Sequence, residues 1–381
     1  MASDLRGFGV NSDSLKQRAR DLLAQAGVAI DGPDPTDLRV HDEGFYARVF
    51  AHGTLGLGES YMDGWWDATD LAGFFTRVLR ANLDDALTTI DTLLAHLKAR
   101  LINVQRGAHA WEVGKRHYDL GNDLFAAMLG KRLVYSCGYW AQARDLDQAQ
   151  EDKLDLICRK LQLKPGQRVL DVGCGWGEAL KFAAERYGIV GVGITVSAEQ
   201  AAYARELCAG LPVEIRLQDY HEVDERFDAV LSVGMFEHVG AKNHRAWFEM
   251  ARRCVIDDGL VLLHSIGSHA TATRPDPWID RYIFPNSLIP NASQVAHALE
   301  GLFVVEDWHN FGADYDLTLQ AWRANFDAAW PVLQGRYDER FRRMWLFYLS
   351  CSAAIFRSRR DQLWQIILSP RGVMGGLRVP R

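Results

Sequence analysis

Hydrophobic and polar positions follow different periods in the first third of the chain and in the rest of it. Residues 12–26 (SDSLKQRARDLLAQA) have the capped, amphipathic pattern of a short helix. The segment 44–50 (GFYARVF) is strand-like, and from Leu71 apolar residues recur at helical spacing to about Gln105. The pattern predicts a small, mostly helical N-terminal domain over residues 1–108.

The pattern changes near residue 168, where short runs rich in apolar and β-branched residues begin. The runs are RVLDVG (168–173), IVGVGITVS (189–197), VEIRLQD (213–219), FDAVLSVGMF (227–236), GLVLLHSIG (259–267), LFVVEDWHNF (302–311) and QLWQIILS (362–369). Helical stretches separate the first four, and this alternation is typical of a parallel sheet covered on both faces. We expect residues 109–381 to form an α/β domain with a doubly wound, mostly parallel, seven-stranded sheet.

Composition and cysteine content are those of a globular protein in a reducing compartment. Of the 381 residues, 48% are hydrophobic and 24% are charged, which is ordinary for a folded domain. No run of about 18 apolar residues occurs, and the N-terminus lacks the apolar segment of a signal peptide. The six cysteines form no CxxC pair, so the sequence predicts neither a disulfide framework nor a zinc site. We therefore expect a cytoplasmic protein.

Charge is distributed unevenly along the chain. The net charge of −6 argues against general binding to nucleic acid. Residues 321–381 contain eleven arginines, no lysine and four acidic residues, which is a surplus of seven positive charges. An arginine-rich face suits anionic lipid headgroups. A solvated surface or an ion-pair network between subunits explains the same composition, and the sequence leaves these interpretations open.

A glycine-rich loop, DVGCGWG (171–177), follows the first strand of the predicted sheet directly. Glycines there permit a tight turn and let the backbone approach a ligand closely. Dinucleotide dehydrogenases usually place an acid at the end of the second strand, but here that strand ends at Thr195. The third strand ends in Gln218 and Asp219, a pattern typical of methyltransferases that use S-adenosylmethionine. The loop favours a methyltransferase, and a purely structural turn is the alternative.

Glu237 and His238 stand at the end of the fourth strand, LSVGMFEHVG (231–240). Ligands bind at the carboxyl ends of strands in such folds, so Glu237 is a candidate site residue. The alternative is an acid that balances a helix dipole. His238 and His244 are six residues apart, which matches neither HExxH nor the usual zinc spacing, and we expect no metal.

Eleven segments spread over nearly the whole chain carry a more specific signal. They are YMDGWW (61–66), HYDLGNDLF (117–125), YSCGYW (135–140), VLDVGCGWG (169–177), ITVSAEQ (194–200), QDY (218–220), VGMFEHVG (233–240), HSIGS (264–268), DPWIDRYIFPN (276–286), EDWHNFGADYD (306–316) and QLWQ (362–365). In these segments the chain resembles the bacterial cyclopropane-fatty-acyl-phospholipid synthases.

The resemblance implies a class I S-adenosylmethionine methyltransferase fold and a defined reaction. The methyl group of S-adenosylmethionine is transferred to the cis double bond of an acyl chain in a membrane phospholipid. Proton loss then closes a cyclopropane ring, and S-adenosylhomocysteine leaves. The resemblance also implies a homodimer that associates peripherally with the inner face of the membrane.

Two sets of site residues follow from the same resemblance. For a bicarbonate ion that acts as the general base, it implies Cys137, Glu237, His264, the backbone of Ile266, and Tyr315, with Glu306 orienting Tyr315. For S-adenosylmethionine it implies Tyr135, Ser136, Asp171, Gly173, Gly175, Gly177, Thr195, Gln200, Gln218 and Asp219. In this arrangement Glu237 accepts from the bicarbonate OH, while His264, the Ile266 N–H and Tyr315 donate to its oxygens. Glu237 then orients the base and is not the base itself.

Several aromatic residues are candidates for stabilising the carbocation that methyl transfer to an alkene creates. They are Tyr135, Tyr139, Trp140 and Tyr315. Ordinary core packing explains each of them as well. The pair Trp65-Trp66 fits either a membrane interface or the core of the N-terminal domain, and we favour the core.

One position departs from the family pattern. Ser352 stands where some members have a cysteine, and Cys351 precedes it, so we do not expect a covalent role for a thiol. Three other functions are weighed against the synthase: a methyltransferase for a soluble amine or hydroxyl, an enzyme that adds a methyl branch without ring closure, and an inactive lipid-binding module. The polar set of Glu237, His264 and Tyr315 argues against the inactive module.

Overall fold

The structure is a computed structural model that describes residues 12–83 and 121–381. The first range contains three helices, α1 (Ser12–Gln25), α2 (Gly44–Met62) and α3 (Leu71–Arg80), and a two-stranded antiparallel sheet of β1 (Arg39–Val40) and β2 (Trp66–Asp67). This part of the chain is therefore mainly helical, as predicted. The expected boundary near residue 108 and the expected continuation of the helix to Gln105 lie outside the described residues.

The strand expected at residues 44–50 is wrong, because these residues form the first turns of α2. Phe45, Tyr46 and Val49 are buried, and their spacing places them on one face of a helix. A short apolar run does not distinguish a strand from a buried helical turn by its periodicity alone.

A seven-stranded sheet in the order β5-β4-β3-β6-β7-β9-β8 organises the rest of the described chain. Its strands are β3 (Arg168–Val172), β4 (Val190–Thr195), β5 (Val213–Leu217), β6 (Phe227–Val233), β7 (Val255–Ser268), β8 (Val304–Asn310) and β9 (Asp361–Ser369). The strands β3 to β7 pair in parallel, and β9 pairs antiparallel with both β7 and β8. The predicted seven-stranded, mostly parallel sheet is confirmed.

Helices cover both faces of this sheet. The helices of this part of the chain are α4 (Asn122–Leu129), α5 (Leu146–Lys160), α6 (Glu178–Tyr187), α7 (Ala198–Leu207), α8 (His244–Cys254), α9 (Pro277–Tyr282), α10 (Ala292–Leu299), α11 (Ala313–Leu333) and α12 (Glu339–Arg357). Successive strand residues point to opposite faces, so Val169 packs in one core with α5 and α6 while Leu170 packs in another with α8 and α10. No helix in the described ranges is both long and apolar enough to span a bilayer.

The N-terminal helices share a third apolar core with α11 and α12. Phe347 of α12 lies with its ring centroid 5.0 Å from Phe75 and 5.7 Å from Tyr61. Trp66 is fully buried in this core, which confirms the core interpretation for that residue, and Trp65 is half-buried beneath the guanidinium of Arg48. The described N-terminal helices thus pack on the C-terminal helices and not on a core of their own.

Most arginines of residues 321–381 are paired within the chain. At least eight of the eleven lie within ion-pair distance of a carboxylate. They are Arg323, Arg336, Arg340, Arg342, Arg343, Arg357, Arg371 and Arg381. Two of them reach the N-terminal region: Arg340 lies 2.9 Å from Asp63, and Arg343 lies 2.7 Å from Asp67. Most arginines of this segment therefore form ion pairs with carboxylates of the same chain, and two of these pairs connect α12 to the N-terminal region.

Candidate active site

A cavity of about 210 Å³ opens at the carboxyl ends of β3, β4, β5 and β6. Nearly every residue expected to bind the cofactor lines it: Tyr135, Ser136, Asp171, Gly173, Gly175, Thr195, Gln200, Gln218 and Asp219. We call this space the cofactor cavity. Its position matches the place where open parallel sheets bind their ligands.

Gly173 and Gly177 have different roles in the loop between β3 and α6. Gly173 has φ 83°, and a Cβ there would lie 2.6 Å from the Cγ of Met235. Gly177, with φ 90°, caps α6 and does not line the cavity, and a Cβ there would lie 3.0 Å from the Cβ of Ala204. Gly177 therefore allows α6 to pack closely on α7, and its expected contact with the cofactor stays a prediction.

Hydrogen bonds fix the polar side chains at the ends of β4 and β5. The hydroxyl of Thr195 donates to Oε1 of Gln200 at 3.1 Å, and the hydroxyl of Ser197 accepts from the Gln200 N–H at 3.3 Å. The carboxylate of Asp219 accepts from the backbone N–H of His221 at 3.0 Å. These side chains are held at the cavity before any ligand binds.

Helix α5 holds the loop of residues 133–140 in place. Nε2 of Gln150 donates to the Ser136 carbonyl at 2.9 Å, and Nζ of Lys153 donates to the Ser136 hydroxyl at 2.9 Å. Ser136 lines the cofactor cavity, whereas the next residue, Cys137, packs in a separate apolar cluster. This loop is therefore the wall between two sites.

Lys153 and Asp171 bring opposite charges to the wall of the cofactor cavity. Burial lowers the pKa of Lys153 to about 7 and raises the pKa of Asp171 to about 7, while the attraction between the two groups opposes both shifts. Oδ1 of Asp171 has no hydrogen-bond partner among the described residues. An ammonium and a carboxylate on one wall suit the zwitterionic end of an amino acid.

On the other side of the loop is a group of packed, mostly apolar side chains that we call the apolar cluster. It consists of Cys137, Tyr139, Ile266, Phe311, Tyr315 and Leu363. Tyr315 also stacks on Phe356, with ring centroids 4.5 Å apart. Burial raises the pKa of the Cys137 thiol well above its usual value, and this thiol donates to the Gly138 carbonyl at 3.1 Å. Cys137 is therefore an uncharged thiol and unsuited to act as a nucleophile.

Glu237 lies in a short 3-10 turn, Phe236–His238, just after β6. Its Oε1 accepts a hydrogen bond from the backbone N–H of Ile266 at 2.6 Å, which joins the carboxylate to β7. Its Oε2 is buried and has no partner within the described chain. Burial raises the pKa of Glu237 to about 7, although the Ile266 N–H lowers it. The Ile266 N–H, expected to donate to a bound anion, here donates to this carboxylate, and its expected role towards an anion stays a prediction.

His264, on β7, is the second polar residue beside the apolar cluster. Its ring centroid lies 5.9 Å from that of Phe311. Its Nδ1 lies 3.2 Å from Nε2 of Gln365, and its Nε2 has no partner in the part of the chain that is described. Burial, together with the charges of Lys153 and Lys160, holds the pKa of His264 well below its usual value. The imidazole is therefore neutral.

Glu306 has partners other than the expected Tyr315. Its Oε1 accepts from the Ser369 hydroxyl at 2.5 Å and from the Val373 N–H at 2.7 Å. Glu306 lies in the first half of β8, whereas Tyr315 lies beyond the end of that strand, on α11. Glu306 thus anchors the segment after β9, and its expected role in orienting Tyr315 stays a prediction.

His238 and His244 occupy separate environments. His238 lines the cofactor cavity, and burial lowers its pKa to about 4. His244 stacks on Phe236, with ring centroids 4.4 Å apart. Neither belongs to a group of three or more potential metal ligands in the described ranges.

Comparison with known proteins identifies the family. A family profile described as mycolic acid cyclopropane synthetase matches residues 105–366. The cyclopropane-fatty-acyl-phospholipid synthase of Escherichia coli (strain K12) is 51% identical over 381 residues, covering 100% of both chains. The chain belongs to the cyclopropane synthase family. It is thus an S-adenosylmethionine-dependent methyltransferase of that family.

Solved structures of cyclopropane synthases agree with this assignment. A cyclopropane synthase from Mycobacterium tuberculosis has a TM-score of 0.64 and 27% identity, covering 68% of this chain and 97% of that chain. A mycolic acid cyclopropane synthase complexed with SAH and CTAB has a TM-score of 0.63 and 31% identity, covering the same shares of 68% and 97%. The class I methyltransferase fold is confirmed.

Two buried lysines and one buried glutamine of this cyclopropane synthase family member were not among the residues predicted from the sequence. Lys153 and Lys160 follow Leu146 on α5 at intervals of seven, and both lysine side chains are fully buried. Lysines that recur on the apolar face of a helix are a signal that the sequence does carry. Gln365 has no comparable local signal, because its partner His264 is 101 residues away.

Proposed function

We propose that this enzyme transfers a methylene group from S-adenosylmethionine to the cis double bond of an unsaturated acyl chain in a membrane phospholipid. The products are a cyclopropane ring in that chain, S-adenosylhomocysteine and a proton. The full-length identity of 51% to a protein named cyclopropane-fatty-acyl-phospholipid synthase supports this substrate class. The proposal includes a bound bicarbonate ion as the general base.

The observation that carries the proposal is a pair of buried polar atoms, Oε2 of Glu237 and Nε2 of His264. Neither atom has a hydrogen-bond partner among the residues that the structure describes. Both side chains adjoin the apolar cluster, Glu237 through its bond to Ile266 and His264 through its contact with Phe311. An unpaired buried polar group costs on the order of 1–3 kcal/mol, so such a pair is expected to serve a small polar guest.

The residues present fit a bicarbonate ion. Ionised Glu237 would accept the hydrogen bond of its OH, and His264 and Tyr315 would donate to its other oxygens. When bound, the ion supplies a small proton acceptor beside the apolar cluster. Ile266 contributes indirectly in this arrangement, because its N–H donates to Glu237 and holds that carboxylate in place.

The cofactor cavity fits the methyl donor. Asp171 suits the ammonium group of the methionine portion, and Lys153 suits its carboxylate. Gly173 lines the cavity in a left-handed conformation that favours glycine, and its bare backbone suits close approach of the ligand. Gln218 and Asp219, at the end of β5, suit the adenine end.

The chemistry requires that donor and alkene meet in a dry space. One alkene carbon bonds to the methyl carbon as the S–CH₃ bond breaks, which leaves a carbocation on the neighbouring carbon. The new methyl group then loses a proton, and the electrons of that C–H bond close the ring. The chain contributes by holding the reactants together and excluding water. Tyr139 and Tyr315 offer aromatic faces that stabilise positive charge.

Mass spectrometry of the product tests the reaction. We would incubate vesicles of a cis-unsaturated phospholipid with the protein, S-adenosylmethionine and bicarbonate, and then analyse the acyl chains. The proposal predicts a gain of one CH₂ per modified chain, with a fragmentation pattern that locates a ring at the former double bond. A branched chain of the same mass would mean that the proton is lost at another position. No gain with any cis-unsaturated lipid would favour a soluble substrate.

Two finer parts of the proposal concern assembly. We propose peripheral docking on the inner face of the membrane through anionic headgroups, and a homodimer. Vesicle flotation with and without anionic lipid tests the docking, and recovery that does not depend on anionic lipid would contradict it. Light scattering tests the dimer, and a particle at the monomer mass of 42.9 kDa would contradict it.

A further inference from the structure

His264 and Gln365 stand opposite each other on neighbouring strands. The register of β7 and β9 pairs the two residues directly, and both side chains are buried. Nε2 of Gln365 lies 3.2 Å from Nδ1 of His264. The amide of Gln365 thus holds the imidazole through Nδ1, and Nε2, on the other side of the ring, takes no part in that bond.

The environment favours this orientation of the Gln365 amide. With its nitrogen towards Nδ1 of His264, the amide leaves Oε1 and one of its two N–H groups without a partner among the described residues. The reversed amide would instead turn its two N–H donors away from that acceptor. Buried N–H groups without an acceptor are rarer than carbonyl oxygens without a donor, so the observed orientation is the more stable one.

This hydrogen bond determines which ring nitrogen of His264 carries the proton. A neutral imidazole has one donor and one acceptor nitrogen. Because the amide of Gln365 donates to Nδ1, the ring proton must reside on Nε2. Nε2 is also the atom that lacks a partner in the described chain, so it is a donor available to a guest beside the apolar cluster.

We propose that Gln365 is a positioning residue that holds His264 in the Nε2–H tautomer, so that the ring donates a hydrogen bond to the anion that serves as the base. The inference rests on the proposed function. Gln365 acts through His264, and its removal should change the anion dependence of turnover without changing the cofactor cavity.

Nitrogen-15 NMR of the histidine rings tests the tautomer directly. The protein would be labelled at its 12 histidines, and the signals of His264 would be assigned by their loss in His264→Gln. The wild-type protein is expected to show His264 protonated at Nε2 and unprotonated at Nδ1. A proton on Nδ1 would overturn the inference whatever the activity.

Gln365→Met removes the amide and keeps the length of the side chain. The variant is expected to lose the single tautomer of His264, and its apparent affinity for bicarbonate should fall about tenfold, which corresponds to about 1.4 kcal/mol. Its affinity for S-adenosylhomocysteine should stay at the wild-type value. An unchanged tautomer together with unchanged bicarbonate dependence would overturn the inference.

Gln362→Met is the matched control on the same strand. Oε1 of Gln362 accepts from Asn310 and from Trp364, and neither partner is a histidine. The control is expected to keep both the His264 spectrum and the bicarbonate dependence of the wild type. An equal loss of bicarbonate affinity in both variants would contradict a specific role for Gln365.

The outcomes separate this inference from the proposed function. Wild-type turnover that ignores bicarbonate contradicts the proposed base and, with it, the role given to Gln365. Bicarbonate-dependent turnover with the His264 proton on Nδ1 contradicts the role of Gln365 alone. If Gln365→Met fails to bind S-adenosylhomocysteine because it does not fold, the wild-type spectrum still decides which ring nitrogen carries the proton.

Discussion

The cofactor cavity and the apolar cluster lie on opposite sides of the loop of residues 133–140, and they are built differently. The cavity is made by the ends of four parallel strands and the loops that follow them. Polar side chains at its rim, such as Thr195 and Gln200, bond to one another. The apolar cluster draws on that loop and on β7, β9 and α11. Beside it, Oε2 of Glu237 and Nε2 of His264 have no partner within residues 12–83 and 121–381.

Under the proposed function, the cavity serves the methyl donor and the apolar cluster serves the acyl substrate. Every methyltransferase of this fold needs a cavity for the donor. Two polar atoms beside an apolar cluster that lack partners among the described residues suit the small polar guest of the proposed function. Changes in the cavity should therefore weaken cofactor binding, and changes at the cluster should slow turnover.

The largest expected effect is on turnover, in Glu237→Gln. The amide keeps an oxygen for the Ile266 N–H but no longer supplies a charged acceptor at the second position. We expect turnover to fall by about 10²–10³-fold, as when one group that orients charge in an active site is lost. The affinity for S-adenosylhomocysteine, measured by calorimetry, should stay near the wild-type value.

A control for this variant is Glu249→Gln, on the surface of α8, where the carboxylate pairs with Arg245 at 3.1 Å. The control should retain wild-type turnover. If Glu237→Gln also retains full turnover, the assignment of Glu237 to the anion site is wrong.

Next in size is the effect of Gly173→Ala on cofactor binding. The residue has φ 83°, and its new Cβ would meet Met235 at 2.6 Å, so the loop must shift. A left-handed conformation costs a non-glycine residue about 1–2 kcal/mol, and we expect cofactor affinity to fall by about tenfold or more. Turnover at saturating cofactor should change less than the affinity does.

Gly166→Ala separates backbone strain from cavity effects. Gly166 has φ 82° and no atom within 4 Å of a new Cβ, and it lies before β3, at the edge of the sheet away from the cavity. Both variants should lose thermal stability, but only Gly173→Ala should lose cofactor affinity. Equal affinities in the two variants would contradict close approach of the ligand at Gly173.

A smaller effect is expected for Tyr315→Phe. The ring and its stacking on Phe356 are kept, and only the hydroxyl is lost. Loss of one hydrogen bond to an anion corresponds to about 1.5 kcal/mol, so turnover at fixed bicarbonate should fall about tenfold. Cofactor affinity should not change. Tyr337→Phe, which removes a surface hydroxyl bonded to Asp123, is the control, and equal losses in the two variants would rule out a specific role for Tyr315.

The smallest expected effect is a change of turnover with pH. Burial raises the pKa of Glu237 to about 7, so the carboxylate is protonated below that pH and ionised above it. Since the ionised form is the acceptor, turnover should rise with pH through about 7. The profile must be measured at a constant concentration of the bicarbonate ion, because the ion itself is protonated at low pH. A flat profile between about pH 6 and about pH 8 would mean that ionised Glu237 is not required.

The cavity could be predicted from the sequence more fully than the apolar cluster could. The loop that contains Gly173 directly follows a strand, and Thr195 and Asp219 mark the ends of the next two strands, so local patterns place these residues at one edge of the sheet. Gly177 shows the limit of this reasoning, because the motif did not indicate that this glycine caps α6 and lets it pack closely on α7.

The apolar cluster and its polar neighbours depend on contacts between distant parts of the chain. The family resemblance named Glu237, His264 and the backbone of Ile266. It did not predict that Ile266 donates to Glu237 or that Gln365 bonds to His264, since both contacts depend on how β7 lies against the turn after β6 and against β9. The resemblance also did not indicate that Glu306 accepts from Ser369 and Val373, because a motif that spans a strand and the following helix does not fix which side chains meet. These contacts depend on tertiary packing, and the local pattern of hydrophobic and polar residues does not predict them.

The most direct test of the division between the two regions is turnover of the wild-type enzyme in carbonate-free buffer, titrated back with bicarbonate. Vesicles of a cis-unsaturated phospholipid serve as substrate, and affinity for S-adenosylhomocysteine is measured alongside. The account predicts that turnover is nearly abolished without bicarbonate and is restored with saturation, while cofactor affinity stays constant. Turnover that remains unchanged without carbonate would contradict it.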